Sequence, residues 1–284
     1  MNFLIDEVEI DASRIGEITV NYRKNDGGGS HYHGKTHFEE YRSAFYPLLK
    51  SAINPQVCID IGANYGYTGM LMQRAFPDSR LILVEPIPWL ENFVRHNFEN
   101  NNFKFDQFHS AICSITSPDG KSVFGVREKG SQDSRVIPQP GMRQIEADVV
   151  TLDEMAADIG NDQGVYIKID TQGWEERVFN GGEAFLGRHD RWFIKTEFAP
   201  AWLESQKTNP AHLLRQLMDR YDVHETPGRL RWNCENLAEM VGQPLLPGSE
   251  MDFIHHVRNL GARDTGWVDL YVMPPAHRRA YSLR

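Results

Sequence analysis

The run Val57-Cys58-Ile59-Asp60-Ile61 passes into Gly62-Ala63-Asn64-Tyr65-Gly66 and then into a helical stretch from Tyr67 to Phe76, stopped near Pro77. A short apolar strand, a glycine-bearing turn and a helix form the opening unit of an open α/β sheet, whose ligands bind at the carboxyl edge of the strands. The rest of the chain repeats the unit. Leu81-Ile82-Leu83-Val84 reads as a second buried strand closed by Glu85-Pro86, with a helix over Trp89 to Asn100 and a third strand in Phe105 to Cys113. Val165 to Ile169 and Trp192 to Thr196 read as the fourth and fifth, a helix covers 211–221, and Asp222 to Glu225 and Val268 to Met273 supply the last two. Strands separated by single helices require crossover connections and hence a mostly parallel sheet. The expected fold is α/β: a Rossmann-like, seven-stranded, mostly parallel sheet with helices on both faces and its last strand antiparallel, plus an N-terminal cap and an inserted hairpin.

Residues 1–50 form the expected cap or lid and 51–284 the sheet domain. Within the cap, residues 1–26 read as weakly patterned strand, with Val8, Ile10, Ile15, Ile18 and Val20 as apolar points. Gly27-Gly28-Gly29-Ser30 reads as a flexible joint. The spacing of Phe38, Tyr41, Phe45, Leu48 and Leu49 predicts a helix from Thr36 to Ile53. Turn signals at Ser117-Pro118-Asp119-Gly120 and Pro138-Gln139-Pro140-Gly141 place the hairpin within an insertion at 114–150. Thr151 and Glu154 have the spacing of a capping box. A second insertion, 226–266, reads as irregular, with Trp232 and Phe253 its aromatic anchors, and is expected to overhang the ligand edge.

The charge balance narrows the partners. With 39 acidic against 30 basic residues and a net charge of −9, the chain lacks the phosphate-neutralising surface of a nucleic-acid binder and has no excess positive charge for anionic lipid. Cys58, Cys113 and Cys234 contain no Cys-x-x-Cys pair, so neither a disulfide framework nor a cysteine zinc site is expected. The start, MNFLIDEVEI, has no basic n-region, and no run approaches the roughly 20 apolar residues of a membrane span. A cytoplasmic protein with no integral membrane segment is the expectation.

The glycine turn selects among ligands. A dinucleotide fingerprint, Gly-x-Gly-x-x-Gly, needs its middle glycine so that backbone can approach a pyrophosphate; here that position is Asn64. Asp60, at the strand end, would repel phosphate and suits an ammonium or sulfonium. S-adenosylmethionine carries both cations and no phosphate. Glu85, ending the second strand, can accept both hydroxyls of a ribose, a feature shared by nicotinamide and S-adenosylmethionine sites. An NAD(P)-dependent oxidoreductase and a non-catalytic S-adenosylmethionine-binding module are the alternative readings.

Four ordered motifs resemble the FkbM family of class I S-adenosylmethionine-dependent methyltransferases. They are Asp60-Ile61-Gly62-Ala63-Asn64-Tyr65-Gly66, Val84-Glu85-Pro86-Ile87-Pro88, Val150-Thr151-Leu152-Asp153, and Lys168-Ile169-Asp170-Thr171-Gln172-Gly173-Trp174-Glu175 with Gly181-Gly182 following. The resemblance covers about residues 50 to 200 and implies O-methylation of a sugar, glycan or natural-product hydroxyl. It departs at Thr171-Gln172, where the family commonly shows a small apolar residue and then an acid.

The residues assigned to the cofactor are Asp60, Gly62, Asn64, Gly66, Glu85, Pro86, Ser110 and Ala111. Asp170 and Glu197 end adjacent strands and are candidate catalytic acids; Asp170 has the alternative of capping a helix from Gly173. His31, His33 and His37 follow the glycine joint and read as a lid, with His33 a candidate base near neutral pKa and His31 an acceptor contact, or as a solvated loop. A zinc site would need a fourth ligand. Two carboxylates make a poor Mg²⁺ site, so no metal is assigned and a divalent cation is a disfavoured option. Trp174 and Trp202 either pack an acceptor ring or bury helix starts, and Trp89 borders the adenosine. Nothing fixes a direction for Asn97, Arg127 or Arg135. The expected partner is a small-molecule or glycan acceptor, with a homo-oligomer left open.

Overall fold

The computed structural model describes residues 9–35, 44–115, 117, 119–226 and 234–283. The chain opens with β1 (Ile10–Ile15) and β2 (Ile18–Arg23), followed by α1 (Gly27–Ser30) and α2 (Phe45–Ile53). The sheet begins with β3 (Pro55–Ile61), α3 (Tyr67–Ala75), β4 (Arg80–Val84), α4 (Pro88–Asn100) and β5 (Gln107–His109). Next come β6 (Ala111–Cys113), β7 (Lys121–Val126), β8 (Arg143–Val150) and α5 (Leu152–Met155). The second half runs β9 (Gly164–Ile169), α6 (Glu175–Asn180), α7 (Glu183–Arg188), β10 (Trp192–Phe198), α8 (Pro200–Ser205), α9 (Pro210–Met218) and β11 (Asp222–Glu225). It ends with α10 (Leu237–Val241), α11 (Glu250–Arg258) and β12 (Val268–Met273).

Among the described residues the main sheet has seven strands in the order β11-β12-β10-β9-β3-β4-β5. β5, β4, β3, β9 and β10 are parallel, and β12 runs antiparallel between β10 and β11. The order reverses direction between β3 and β9, which opens a crevice at their carboxyl ends. Alternation along the strands feeds two cores: Val57, Ile59 and Ile61 of β3 join Ile167 and Ile194 on one face, while Cys58 joins Tyr166 and Phe193 on the other.

The expected third strand is two. β5 pairs with β4, but beyond Ser110 the chain leaves the sheet and β6 pairs with β8. With β7 antiparallel to β8, the insertion becomes a separate three-stranded sheet. The capping box at Thr151 is present, Thr151 Oγ1 accepting from Glu154 N–H and Glu154 Oε2 from Thr151 N–H. The second insertion is more regular than its sequence indicated, since it contains α10 and α11; Trp232 lies outside the described residues. So do Val8, Phe38, Tyr41, His37 and Pro118, and the helix expected from Thr36 is described from Phe45. No helix among the described residues is long and apolar enough to cross a membrane.

Gly27 to Ser30 is a correction of a different kind. The glycines form α1, a helical turn capped by Asp26, with Gly28 and Gly29 buried. A Cβ on Gly28 would lie 2.2 Å from Ser131 Oγ and one on Gly29 2.6 Å from the Tyr22 ring. These glycines permit close packing, not flexibility. Asp26 itself is 1% exposed and accepts from Gly29 N–H (3.1 Å), Ser131 N–H (2.7 Å), Ser131 Oγ–H (2.6 Å) and Tyr65 O–H (2.8 Å). Asn97 on α4 completes the seam, accepting from Asn21 N–H (2.7 Å) and donating to Tyr65 O (2.9 Å). The N-terminal hairpin thus shares a core and a polar network with the sheet.

Asp26→Ala would orphan donors from three separate segments. It is expected to lower the unfolding free energy by about 2–4 kcal/mol, measured by urea denaturation; a loss below about 0.5 kcal/mol would refute this role for the network.

Candidate functional site

The register of the central strands sets the site. Asp60 of β3 lies beside Lys168 of β9, Lys168 beside Lys195 of β10, and Lys195 beside Tyr271 of β12. Side chains return to the same face two residues on. Asp170, Glu197 and Asp269 therefore form a second row nearer the carboxyl edge, with Glu197 and Asp269 opposite each other. The rows pair across: Lys168 Nζ lies 3.0 Å from Asp170 Oδ2 and 4.0 Å from Asp60 Oδ1, and Lys195 Nζ lies 3.0 Å from Asp269 Oδ2.

The charges of this cluster diverge. Burial works against the Lys168 ammonium, but Asp170 and Asp60 outweigh it and raise its pKa. Burial likewise opposes ionisation of Asp170, yet Lys168 and the hydrogen bond from Gln172 prevail and hold it below the usual carboxylate range. For Glu197, burial and then the neighbouring Asp170, Glu175 and Asp269 outweigh the pull of Lys168 and push its carboxyl well above that range. Gln172 Nε2 donates to Asp170 Oδ1 (2.9 Å) and to Glu197 Oε2 (3.1 Å). The carboxyl of Asp170 does not cap a helix: α6 starts at Glu175, and it is Glu175 Oε1 that accepts from Thr171 and Gly173 N–H.

The other end of the crevice is built on the glycine turn. Gly62 and Ala63 N–H both donate to Val84 O, Asn64 N–H to Glu85 Oε2, Tyr65 N–H to Asn64 Oδ1 and Gly66 N–H to Ala63 O. All five consecutive amides are thus bonded, three to Val84 and Glu85 at the end of β4 and two within the turn, which leaves none for a pyrophosphate. Asn64 takes a left-handed conformation (φ 49°) and its Nδ2 donates to Ser131 Oγ. Glu85 accepts from Asn64 N–H on one oxygen (2.9 Å) and Ile87 N–H on the other (3.0 Å), which fixes its plane and leaves each oxygen further acceptor capacity. Burial pushes its carboxyl up to about 7. Gly62, at φ +82°, is required on steric grounds as well, since a Cβ would sit 1.9 Å from Asp170 O.

Both ends open into one cleft of about 1360 Å³. Of the residues expected at the cofactor, Gly62, Asn64, Glu85, Pro86 and Ala111 line it. Asp60 is fully buried beneath, Gly66 starts α3 against Val94 and Phe98, and Ser110 is exposed between β5 and β6. Asp170, Glu197, Trp174, Trp202 and His31 also line it. Trp174 donates to Ser114 Oγ and has Arg177 over its ring at 4.6 Å; Trp202 has Arg135 at 5.4 Å. His33 is not brought to the cleft: it is exposed, with Nδ1 3.2 Å from Tyr22 O–H and 3.6 Å from Asp11 Oδ2. Trp89 is also outside the lining, packing against Tyr65 and Phe93.

Lys168, Lys195, Gln172 and Asp269 are cleft residues to which the sequence reading gave no role. The alternation Ile167-Lys168-Ile169 and Ile194-Lys195-Thr196 marks the lysines as facing away from the aliphatic core, a usable signal. Gln172 had none, because its direction depends on a left-handed backbone (φ 58°). Among the described residues no group of three or more His, Cys, Asp or Glu is arranged to hold a metal.

The model of the family described as Methyltransferase FkbM domain matches residues 60–224. No curated protein matches the chain. Among solved structures, methyltransferase FkbM from Methylobacillus flagellatus KT is similar at 13% identity and a TM-score of 0.41, over 77% of this chain and 44% of that one, so this chain spans less than half of that protein. Precorrin-6y C5,15-methyltransferase from Geobacter metallireducens GS-15 is similar at 12% identity and 0.40, covering 84% and 90%. Geranyl diphosphate methyltransferase in complex with SAM is similar at 14% identity and 0.39, covering 92% and 96%. Likenesses this remote carry no further weight.

Folding raises the Glu85 pKa from 4.5 to about 7, so the folded protein retains a proton that the unfolded chain has released. The contribution of Glu85 to stability is therefore full below pH 4.5 and lost as pH rises through about 7, by up to about 3 kcal/mol. Glu85→Gln is expected to flatten that slope in denaturation measured from pH 4.5 to 8; parallel curves for the two proteins would contradict it.

Proposed function

The chain belongs to the FkbM methyltransferase domain family, and from that premise we propose that it transfers a methyl group from S-adenosylmethionine to a hydroxyl of a sugar, glycan or natural-product acceptor. The observation that carries the reading is one cleft holding Glu85 at one end and, at the other, Asp170, held below the usual carboxylate range beside Lys168, next to Glu197, whose carboxyl is held well above it. Its volume exceeds the roughly 300–1,000 Å³ of a single-ligand pocket, as two substrates side by side require.

The donor set fits this cofactor. Glu85 is oriented to accept the two ribose hydroxyls, and the Gly62 backbone leaves the turn open above Asp170 O. The acids of the strand ends favour a cationic ligand, and the internally bonded amides of residues 62–66 disfavour a dinucleotide phosphate. When bound, S-adenosylmethionine supplies an electrophilic methyl on a sulfonium.

The chain supplies alignment and proton handling. Holding an acceptor oxygen in line is worth on the order of 7–11 kcal/mol. Asp170, fixed by Lys168 at 3.0 Å and Gln172 at 2.9 Å, accepts the proton that the hydroxyl loses. Glu197, which shares the Gln172 amide with Asp170, lines the cleft beside it. Trp174 and Trp202, each with an arginine at its ring, present flat apolar surface to a sugar or other ring.

Calorimetry is expected to show binding of S-adenosylmethionine and none of NADH, with Glu85→Ala weakening the cofactor by about 1.5–3 kcal/mol. Asp170→Asn is expected to retain cofactor affinity and lose about 10²–10⁴-fold in transfer of labelled methyl to hydroxyl acceptors. Binding of NADH alone, or full activity of Asp170→Asn, would overturn the assignment.

A further inference from the structure

The carboxamide of Gln172 exchanges no proton in the chemistry just described, yet both bonds it makes go to acids of the cleft. Its backbone lies in the left-handed region at φ 58°, uncommon for a residue with a side chain. The turn is held there from two sides. Glu175 Oε1 accepts from Thr171 N–H (3.0 Å), Thr171 Oγ1–H (3.0 Å) and Gly173 N–H (3.2 Å), and Arg135 Nη1 donates to Gln172 O (3.3 Å). So held, the turn folds the side chain back over the strand ends.

The two hydrogens of Nε2 go to different acids, one to Asp170 Oδ1 and one to Glu197 Oε2. The flipped amide would set its oxygen against two carboxyl groups, so the hydrogen-bond network selects this orientation. The cost is visible at Oε1, which is buried and accepts no hydrogen bond.

We propose that Gln172 is a positioning residue that divides two neighbouring carboxyls into unlike roles, locking Asp170 as the proton acceptor and Glu197 as a hydrogen-bond donor to it. The geometry stands independently; its catalytic consequence rests on the hydroxyl-methylation reading. A donor on each acid favours ionisation of both, but only Asp170 also has Lys168 on its second oxygen. The remaining charged and titratable neighbours are Asp60 from β3, Lys195 from β10, Asp269 from β12, Glu175 from α6, Arg135 from the inserted sheet and Tyr32 from the N-terminal segment. The three acids Asp170, Glu175 and Asp269 weigh on Glu197 and raise it, and its hydrogen bond to Asp170 helps to hold Asp170 low. Two interacting acids with titrations driven apart in this way form an acid–base pair.

The test is a ¹³C-carboxyl NMR titration of the full chain labelled at Asp and Glu, with Asp170 and Glu197 assigned from the spectra of Asp170→Asn and Glu197→Gln. Gln172→Met keeps the length and removes both donors. The Asp170 titration is expected to move up by about one pH unit, and further in Gln172→Glu, which inserts a third carboxyl. A far-ultraviolet circular dichroism spectrum and thermal midpoint unchanged in both variants report an intact fold. The acidic limb of the kcat–pH profile should move by the same amount, with the acceptor KM little altered. An Asp170 titration unmoved in both variants overturns the proposal, as does a uniform loss of kcat with the limb in place. If the unsubstituted enzyme methylates no hydroxyl, the functional reading fails while the titration still decides the role of Gln172.

Discussion

Two lysines inside a parallel sheet make this site workable. Lys168 and Lys195 stand side by side on adjacent strands, where a like-charged pair would be unfavourable unless flanked by acids. Asp60 in the same row and Asp170 and Asp269 in the next provide that flank. The reverse also holds. Asp170 is held low at its half-buried strand end by the Lys168 ammonium at 3.0 Å, while Glu197 is raised. Both strands carry a lysine two residues earlier on the same face, and the carboxyls differ because Lys168 reaches Asp170 whereas Lys195 reaches Asp269.

The parts of this arrangement that the sequence makes legible are those set by local order. Strand ends are readable: Glu85 and Asp170 follow directly on β4 and β9, and Glu197 is the penultimate residue of β10. The glycine turn was readable because Gly62 must fit against a neighbouring backbone. What depends on distant partners was not. Gly27 to Ser30 look like a joint until Ser131, far along the chain, is found against Gly28. His33 belongs to a dense histidine group, yet its ring turns to Tyr22 and Asp11 instead of the cleft. Gln172 departs from its family pattern in identity, and only the left-handed turn shows where its amide goes.

The insertion at 114–150 shows how tertiary context rewrites a local reading. Phe105 to Cys113 carries enough apolar character for one strand, but the chain changes sheets at Ser110, so Ala111 to Cys113 lines the cleft as part of a second layer. That layer also brings Ser131 to both Asn64 and Asp26. One serine thereby joins the cofactor turn, the N-terminal segment and the inserted sheet.

The contact between Gly62 and the carbonyl of Asp170 has a further implication. Asp170 N–H also bonds Ile61 O at 3.0 Å, so the donor turn and the acceptor-facing strand are joined through main chain alone. Under the proposed function, the span between the two reactants is a fixed dimension of the scaffold, indifferent to the side chains such as Phe124, Met240 and His256 that furnish the walls.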